Sequence, residues 1–249
     1  MSFNDHFSGH AELYRAARPG YPDAPFAWLA PRAPGRALAW DAACGNGQAT
    51  LALAPHFDRV VGTDPSTEQL ALATAAPNVE YRAERAERSS LEDASVDLVT
   101  IAQALHWVDL DAFYAEVARV LRPGGVLAAI VYTGFDCDPA FDRVRDRLYA
   151  DILGDYWPQD RRDVETGYRS YAFPFDELEV PHFVIDVDWT LDQVLGYLRS
   201  WSSSQRYLAA NGVDPVTLVE HDLRAAWGEP SRTRVLSWNL NIRAGRLPA

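Results

Sequence analysis

The sequence has 249 residues, of which 48% are hydrophobic and 23% charged, a composition typical of a globular protein with a full core. Its formal net charge of −12 disfavours nucleic acid as a partner, because nucleic-acid binders need a basic face to displace counterions from phosphates. The sequence contains no apolar run of about 18 residues, so we expect no membrane-spanning helix.

The two cysteines and the first six residues predict the cellular compartment of the protein. Cys44 and Cys137 lie far apart in the sequence, so we expect reduced thiols rather than a disulfide framework. The first six residues lack the basic and apolar segments of a secretory signal, so we expect the protein to remain in the cytoplasm. Basic pairs such as Arg161-Arg162 alternate with acidic residues and are expected to form solvated helix faces.

Short apolar runs alternate with helical patterns from about residue 37 onward. Five runs predict buried parallel strands, at residues 37–41, 59–64, 78–81, 95–101 and 126–132. Repeated strand–helix–strand units with right-handed crossovers build a parallel sheet. The pattern therefore predicts a doubly wound α/β fold.

Capping signals mark two of the helices between these strands. Ser66 is a favourable N-cap, and Gln69 occupies the reciprocal position of a capping box, which predicts a helix through about Ala75. Asp111 is predicted to cap a second helix that runs through Leu121, where a Pro-Gly-Gly sequence follows.

The last third of the chain has a different pattern. Apolar and polar residues alternate over 183–189 and over 236–242, which predicts half-exposed strands at an antiparallel edge of the sheet. Residues 138–181 are rich in aromatic, arginine and aspartate residues and favour an inserted helical cap. Neither repeats nor low-complexity linkers occur, so one domain is the simplest organisation.

The strongest functional signal is the segment 41–48 (DAACGNGQ), at the end of the first predicted strand. Gly45 and Gly47 permit a tight turn and a close approach of the backbone to a ligand. The following helix presents unpaired backbone N–H groups toward that ligand. Asp64 ends the second strand, where an acid can accept hydrogen bonds from both hydroxyls of a ribose. An adenosine-containing ligand is therefore expected at the carboxyl ends of the strands.

The residues considered so far are compatible with two adenosine-containing ligands, a dinucleotide and S-adenosylmethionine (SAM). A dinucleotide-binding loop has the pattern G-x-G-x-x-G/A, whereas Thr50 occupies the third position here. Asp41 stands just before the glycines, where a carboxylate repels phosphate and favours a cation. SAM carries an ammonium and a sulfonium and no phosphate. The charge argument favours SAM, and an NAD-binding oxidoreductase is the alternative.

In these segments the chain resembles the type 11 family of class I methyltransferases, and within it the relatives of trans-aconitate methyltransferase. The resemblance runs from about Phe7 to Tyr132. Seven motifs carry it in order, at residues 14–22, 41–50, 60–66, 86–87, 95–99, 103–107 and 119–125. Each motif alone is a weak signal, but seven in the family's order are specific.

The resemblance implies SAM as the cofactor and a role for each matching residue. Contacts with SAM are implied for Asp41, Ala42, Cys44, Gly45, Asn46, Gly47 and Gln48 at its methionyl end, and for Asp64, Pro65 and Ser66 at its ribose and adenine. Ala86 and Glu87 are implied to contact its adenine amino group, and Gln103 its methionyl or sulfonium region. Trp107 is implied to contact SAM at the reacting centre. His106 is implied to face the reacting centre. Tyr14 and Arg18 are expected to belong to a lid over the cofactor, where an arginine can pair with an anionic acceptor.

The family's fold is a seven-stranded, mostly parallel Rossmann-like sheet with an antiparallel last strand. We therefore expect one methyltransferase domain of four parts: an N-terminal lid (1–34), a SAM-binding core (35–135), an inserted helical cap (136–181) and a C-terminal part with the last strands and substrate-side helices (182–249). The expected partner is a small-molecule methyl acceptor, and a carboxylate is one candidate. The oligomeric state is left open.

Several candidate residues also fit structural roles. Cys44 suits a small side chain at the turn better than a nucleophile, because no adjacent histidine activates it. His106 and Trp107 are equally compatible with roles as a hydrogen-bonded core histidine and as core filler. His6 and His10 are spaced i, i+4, but neither an acid of a zinc motif nor a third ligand accompanies them, so no metal is expected. A catalytically silent SAM-binding subunit is the alternative from outside the enzymes.

Overall fold

A mixed sheet of eight strands lies at the centre of the computed structural model, which describes residues 18–158 and 161–248. The strands are β1 (Leu38–Ala42), β2 (Arg59–Thr63), β3 (Val79–Arg82), β4 (Val96–Ala102), β5 (Leu121–Asp136), β6 (Asp176–Glu177), β7 (Phe183–Trp189) and β8 (Arg234–Arg246). Their order is β3-β2-β1-β4-β5-β8-β6, and β7 also pairs with β8. Strands β1 to β5 are parallel, whereas β8 is antiparallel to β5, β6 and β7.

Nine α-helices connect the strands in the described ranges. They are α1 (Asp23–Leu29), α2 (Gln48–Leu53), α3 (Thr67–Ala71), α4 (Leu110–Val120), α5 (Pro139–Asp146), α6 (Arg161–Glu165), α7 (Leu191–Arg199), α8 (Ser202–Asn211) and α9 (Glu220–Trp227). A π-helical stretch at Arg147–Ile152 follows α5 directly. Within residues 18–158 and 161–248, none of the helices has the length and apolar character needed to cross a bilayer.

The core lies on both faces of the sheet because successive side chains of a strand point to opposite sides. Along β5, Val126 and Ala128 belong to a cluster that includes buried side chains of α1, α7 and α9. Leu127 and Ala129 belong to a second cluster, which includes the apolar side of α4. Burial on both faces explains why β1, β4 and β5 read as continuous apolar runs rather than as alternating ones.

The sequence predicted the five parallel strands along the chain correctly, but β3 was wrongly expected to be buried, because it lies at the edge of the sheet and has no buried residue. All five parallel strands are present, and the two alternating segments pair with each other in the antiparallel sense, Phe183 opposite Leu240 and Trp189 opposite Arg234. The expected doubly wound α/β fold is confirmed. The sheet has eight strands rather than seven, because a two-residue strand, Asp176–Glu177, pairs with the end of β8.

Three predicted helix boundaries were wrong. The cap of α4 is Asp109, whose extended backbone lets its carboxylate accept a hydrogen bond from the Ala112 N–H at 3.2 Å, while Asp111 lies within the first turn. That helix ends at Val120, because Leu121 is already extended and starts β5. Helix α3 is shorter than predicted and ends at Ala71.

The predicted cap of α3 is confirmed. The Ser66 hydroxyl accepts a hydrogen bond from the Gln69 N–H at 3.2 Å. The reciprocal bond of a capping box has a different partner, since the Ser66 N–H donates to the Asp64 carboxylate at 2.9 Å. Asp64 therefore fixes the start of α3 as well as ending β2.

Candidate active site

A cavity of about 1000 Å³ opens at the carboxyl ends of β1, β2 and β4, the edge where open α/β sheets bind their ligands. We call it the large cavity. The predicted site residues that line it are Arg18, Cys44, Gly45, Asn46, Gln48, Asp64, Pro65, Ser66, Ala86, Glu87, Gln103, His106 and Trp107. Residues from five separate sequence motifs therefore meet around one space.

Asp64 has a central place in this cavity. One carboxylate oxygen accepts a hydrogen bond from the Gly45 N–H at 2.8 Å, and the other accepts one from the Ser66 N–H at 2.9 Å. The carboxylate thus joins the loop after β1 to the start of α3. Its residual exposure of 9% lies at the cavity. Because a carboxylate oxygen can accept more than one hydrogen bond, these two contacts do not prevent Asp64 from accepting one from a ligand hydroxyl.

Asp41 does not line the large cavity. It is fully buried, and its two oxygens accept hydrogen bonds from the hydroxyls of Thr50 at 2.6 Å and Thr100 at 2.8 Å. Burial raises the pKa of this carboxyl to about 6, against the opposing effect of the two threonine hydrogen bonds. Asp41 therefore joins β1, α2 and β4 beneath the glycine loop, and the structure gives it no direct contact with the cavity.

Ala42 and Gly47 also stand apart from the cavity lining. Ala42 is fully buried at the end of β1. Gly47 has a φ of 83° and precedes α2. A β-carbon at that position would collide with the ring of Tyr81, so only glycine suits both the backbone conformation and the packing. Tyr14 lies outside the described residues.

Two neighbours in the glycine loop differ in chemical character. Burial raises the pKa of the Cys44 thiol well above its ordinary value, which keeps it protonated and makes it a poor nucleophile. Both cysteines of the chain are free. The Asn46 side-chain nitrogen is buried, and among the described residues it has no hydrogen-bond partner. A buried donor beside a cavity is best explained by a ligand or water that accepts its hydrogen bond.

The predicted adenine side of the cavity contains a pair of opposite charges. Arg85 donates two hydrogen bonds to Glu87 at 3.1 Å each, and the Asp109 N–H donates to the same carboxylate at 3.2 Å. Burial would raise the pKa of Glu87, but these hydrogen bonds hold it below its ordinary value. Ala86, between the two charged residues, is almost completely buried.

A smaller space of about 80 Å³ adjoins the large cavity. We call it the small chamber. Five residues line both spaces and form their junction: Arg18, Gln103, His106, Trp107 and Tyr132. The rest of the small chamber is mainly aromatic, with Trp157, Tyr197 and Trp201, and it also includes Arg161. A ligand that fills the large cavity therefore faces a second compartment across this junction.

Gln103 is held at the junction in an uncommon backbone conformation, with a φ of 57°. Its N–H donates to the Ile130 carbonyl at 2.8 Å, and its side-chain nitrogen donates to the Tyr132 carbonyl at 3.2 Å. Both bonds tie the residue to β5. A left-handed conformation in a non-glycine residue costs energy and persists where the surroundings fix it, as at binding sites.

His106 and Trp107 occupy the other side of the junction, in a single 3₁₀ turn. Their ring centroids are 4.6 Å apart. Nδ1 of His106 lies 2.9 Å from the Tyr168 hydroxyl. Burial and the nearby Arg161 lower the pKa of His106 to about 4, so the imidazole is neutral at physiological pH. Trp107 is 39% exposed and therefore serves as cavity wall rather than as core filler.

The two spaces differ in charge. The described lining of the large cavity contains four acids, Asp64, Glu87, Asp109 and Asp111, and two arginines, Arg18 and Arg85. The described lining of the small chamber contains two arginines, Arg18 and Arg161, and no acid. The large cavity thus favours a cation and the small chamber an anion.

Sequence reasoning missed several lining residues. Arg85 and Asp109 belong to none of the motifs, although Arg85 directly precedes the motif at residues 86–87 and Asp109 directly precedes α4. Arg161 was expected on a solvated helix face, which is wrong, because its guanidinium carbon lies 4.2 Å from the centroid of the Trp157 ring and the residue lines the small chamber. Tyr197 and Trp201 also line the small chamber.

Comparison with known proteins agrees with this geometry. A family described as a methyltransferase domain matches residues 40–129. A Dictyostelium discoideum protein described as a methyltransferase is 32% identical over 229 residues, which cover 90% of this chain and 87% of that protein. A Mycobacterium tuberculosis protein, described as an uncharacterized methyltransferase, is 39% identical over 154 residues, which cover 55% of this chain and 63% of that protein.

Solved structures give the same result. A structure from Anaeromyxobacter dehalogenans, described as a methyltransferase, has a TM-score of 0.88 and 47% sequence identity, and the match covers 93% of this chain and 99% of that one. Phosphoethanolamine N-methyltransferase 2 of Haemonchus contortus, solved with SAM, has a TM-score of 0.53 at 18% identity, over 100% of this chain and 60% of that one. The latter shows a shared fold.

The fold and the acid-lined cavity at the strand ends define a class I methyltransferase. The chain belongs to the methyltransferase family, and it is an enzyme that uses SAM as its methyl donor. The residues present fit this cofactor. The acids of the large cavity suit its sulfonium and ammonium groups, Asp64 offers acceptors for hydroxyls, and the buried Asn46 amide offers a donor.

Proposed function

We propose that this methyltransferase acts on a small molecule with a carboxylate, and that the small chamber holds this acceptor. The observation that carries the proposal is the presence of two arginines and no acid in the described lining of the small chamber. Guanidinium groups bind carboxylates through charge-assisted hydrogen bonds. The sequence motifs also resemble those of trans-aconitate methyltransferases, whose acceptor is a carboxylate, and this resemblance favours an acid as well.

Arg161 is the better fixed of these two cations. Its Nε donates to the Tyr149 hydroxyl at 2.7 Å, and its guanidinium stacks on the Trp157 ring at 4.2 Å. Glu165 lies 3.4 Å from the same nitrogen. Within residues 18–158 and 161–248, the hydrogen bonds of Arg161 use Nε, and its terminal nitrogens are left as donors for an acceptor.

The aromatic side chains of the small chamber restrict the chemical groups that the acceptor can have besides its carboxylate. Trp157, Tyr197 and Trp201 surround the arginines, and such side chains exclude water and bind flat or apolar groups. The volume of about 80 Å³ restricts the acceptor to a small group. We therefore expect a small acid with an apolar or unsaturated portion.

At the junction, the chain's own residues would align the two reactants. When bound, SAM supplies a methyl group that its sulfonium has already activated, so a carboxylate acceptor requires no general base. Gln103, His106 and Trp107 line both spaces and would hold the reactants in line. Alignment of this kind contributes as much as about 7–11 kcal/mol to catalysis in favourable cases.

The cofactor contacts are proposed from the placement of the lining residues. The carboxylate of Asp64 would bind the ribose hydroxyls, and Asn46 with the backbone at Gly45 would bind the methionyl end. Ala86 and Glu87 would contact the adenine. For Asp41 we propose an indirect role, because both of its oxygens are bonded to threonines beneath the loop. Arg18 would bind the acceptor, since it lines both spaces.

Matched pairs of acceptors and matched variants test this proposal. Methyl-labelled SAM is incubated with small carboxylic acids and with the corresponding primary amides, and we expect label in the acids as methyl esters. The Arg161→Gln variant should then raise KM for the acid about tenfold or more, with KM for SAM unchanged. Arg162→Gln, at the exposed neighbouring position, is the control. Small amines and phenols complete the panel, and label that enters them but not the acids would refute a carboxylate acceptor.

A further inference from the structure

We propose that Tyr168 is a positioning residue for His106. Its phenol would hold the imidazole at the junction in the tautomer whose Nε2 carries the proton, so that His106 donates a hydrogen bond to the acceptor. The hydrogen bond from His106 to the acceptor rests on the proposed function, in which the acceptor is an anion. The contact between Tyr168 and His106 is independent of that proposal.

The contact itself is short and shielded. Nδ1 of His106 lies 2.9 Å from the Tyr168 hydroxyl, and the two rings stack at 5.9 Å with an interplanar angle of 30°. Tyr168 is completely buried, so water competes little for this hydrogen bond. Because Nδ1 is engaged, Nε2 is the ring nitrogen that remains for a ligand, and His106 lines both spaces.

The backbone at Tyr168 is held in a costly conformation. Gly167 and Tyr168 have φ values of 64° and 62°, and a bulky residue in this left-handed region is a genuine outlier. Such residues persist only where the surroundings fix them, and they cluster at functional sites. The cost is compatible with a side chain that must reach a particular partner, which here is His106.

Strand β8 supplies the restraint. Arg243 donates hydrogen bonds from one nitrogen to the carbonyls of Tyr168 at 2.9 Å and Tyr171 at 2.7 Å. At Gly167, an added β-carbon would come within 3.0 Å of the Asn241 side chain. The turn that carries Tyr168 is therefore packed against the sheet, and the phenol has a fixed position relative to β8.

The direction of the hydrogen bond follows from the chemistry of the two groups. The neutral imidazole has one N–H and one bare nitrogen. A phenol O–H is a stronger donor than the N–H of neutral imidazole, so the Tyr168 hydroxyl donates to Nδ1. The proton of His106 is then on Nε2, the ring nitrogen that can donate a hydrogen bond to a ligand at the junction. An anionic acceptor at the junction would accept a hydrogen bond from this N–H.

Nitrogen NMR on the full chain with ¹⁵N-labelled histidine tests the geometry. Wild type should show His106 as the tautomer protonated at Nε2, without SAM or acceptor present. Tyr168→Phe keeps the buried ring and removes the hydroxyl, and we expect it to give a mixture of tautomers. Tyr171→Phe is the matched control, since its ring stacks on Tyr168 at 5.7 Å, and it should keep the wild-type spectrum.

Kinetics then separate positioning from a purely structural role. Tyr168→Phe should lower kcat by about tenfold, with KM for SAM within about twofold of wild type and a melting temperature only a few degrees lower, as expected for the loss of one buried hydrogen bond. Protonation at Nδ1 in wild type, or unchanged tautomer and kcat in Tyr168→Phe, would overturn the inference. If the NMR result holds but acids accept no label, the positioning stands and the carboxylate acceptor fails, so the two failures are distinguishable.

Discussion

Asp64 and Gly45 are joined by a hydrogen bond of 2.8 Å from the glycine N–H to the carboxylate. The acid after β2 therefore fixes the loop after β1, and the same carboxylate accepts the Ser66 N–H at the start of α3. One side chain thus shapes the large cavity and also contributes an acceptor to its surface. This double role makes Asp64 the most sensitive position of the proposed cofactor site.

Replacement of Asp64 by alanine should weaken SAM binding at least about tenfold, because a hydrogen bond to a charged group contributes about 1.5–3 kcal/mol. The variant also releases the Gly45 N–H from its partner. Isothermal titration calorimetry measures the affinity directly. Asp58→Ala, an exposed acid one residue before β2, is the control. An affinity equal to that of wild type in Asp64→Ala would contradict the ribose assignment.

Replacement of His106 by alanine should lower kcat more than it lowers SAM affinity, because His106 lies at the junction of the two spaces rather than at the ribose end. We expect a loss of about tenfold or more in kcat, with Kd for SAM changed by less than about threefold. Steady-state kinetics together with calorimetry give both values. Full activity in this variant would make His106 a structural residue only.

His106 should also make the fold sensitive to acid. Its pKa in the folded protein is lowered to about 4 from an ordinary value of 6.5, so only the unfolded chain binds the proton between these values. The stability contributed by neutral His106 is complete above pH 6.5 and is lost as the pH falls toward 4, by as much as about 1.4 kcal/mol per pH unit. Urea unfolding of His106→Asn should show a shallower loss over this window.

The control for that experiment is His221→Asn, which changes an exposed histidine and should keep the wild-type dependence. Comparison with wild type also removes the contribution of Asp41, which has the opposite sign. If His106→Asn and wild type lose stability in parallel between pH 6.5 and 4, the imidazole is not held neutral by its surroundings.

Replacement of Asp41 by asparagine should stabilise the protein at pH 7.5. The folded pKa of Asp41 is raised to about 6 from 3.8, so the penalty for its charge appears as the pH rises from about 4 and is complete above 6. An amide still accepts from one threonine and donates to the other. We expect a gain on the order of 1–3 kcal/mol in the free energy of unfolding at pH 7.5, and a smaller gain at pH 4.5.

Urea unfolding at the two pH values checks this sign, and calorimetry with SAM shows whether the charge beneath the loop assists binding. Thr50→Val is a useful companion, since it leaves Asp41 with one hydroxyl partner and should destabilise the protein. A gain for Asp41→Asn that is larger at pH 4.5 than at pH 7.5 would contradict the assignment of the raised pKa.

Local patterns predicted most of the sheet, because strands buried on both faces are continuous apolar runs and the tail strands alternate, whereas the two-residue strand β6 is too short to give a pattern. Helix ends were less predictable. Asp109 and Asp111 are both acids near the start of α4, and only the backbone conformation shows that Asp109 is the cap. Helix α3 stops at Ala71 because the chain turns there, with the Leu72 N–H bonded to the Gln69 carbonyl.

That most of the predicted cofactor residues line one cavity was predictable in the same way, because they follow consecutive strands. Asp41 shows the limit, since sequence order places it beside the glycines but burial turns its carboxylate toward Thr50 and Thr100. The small chamber was not predictable as a unit. Arg161 and Trp201 come from helical segments about 40 residues apart in the sequence, and only tertiary packing brings them to one wall.

A crystal structure with S-adenosylhomocysteine tests most directly whether the two spaces form one active site. We expect the ribose hydroxyls within hydrogen-bond distance of Asp64 and the sulfur at the junction beside Gln103 and His106, facing the small chamber. A complex in which the sulfur lies away from the junction, or in which the ribose has no contact with Asp64, would contradict the account.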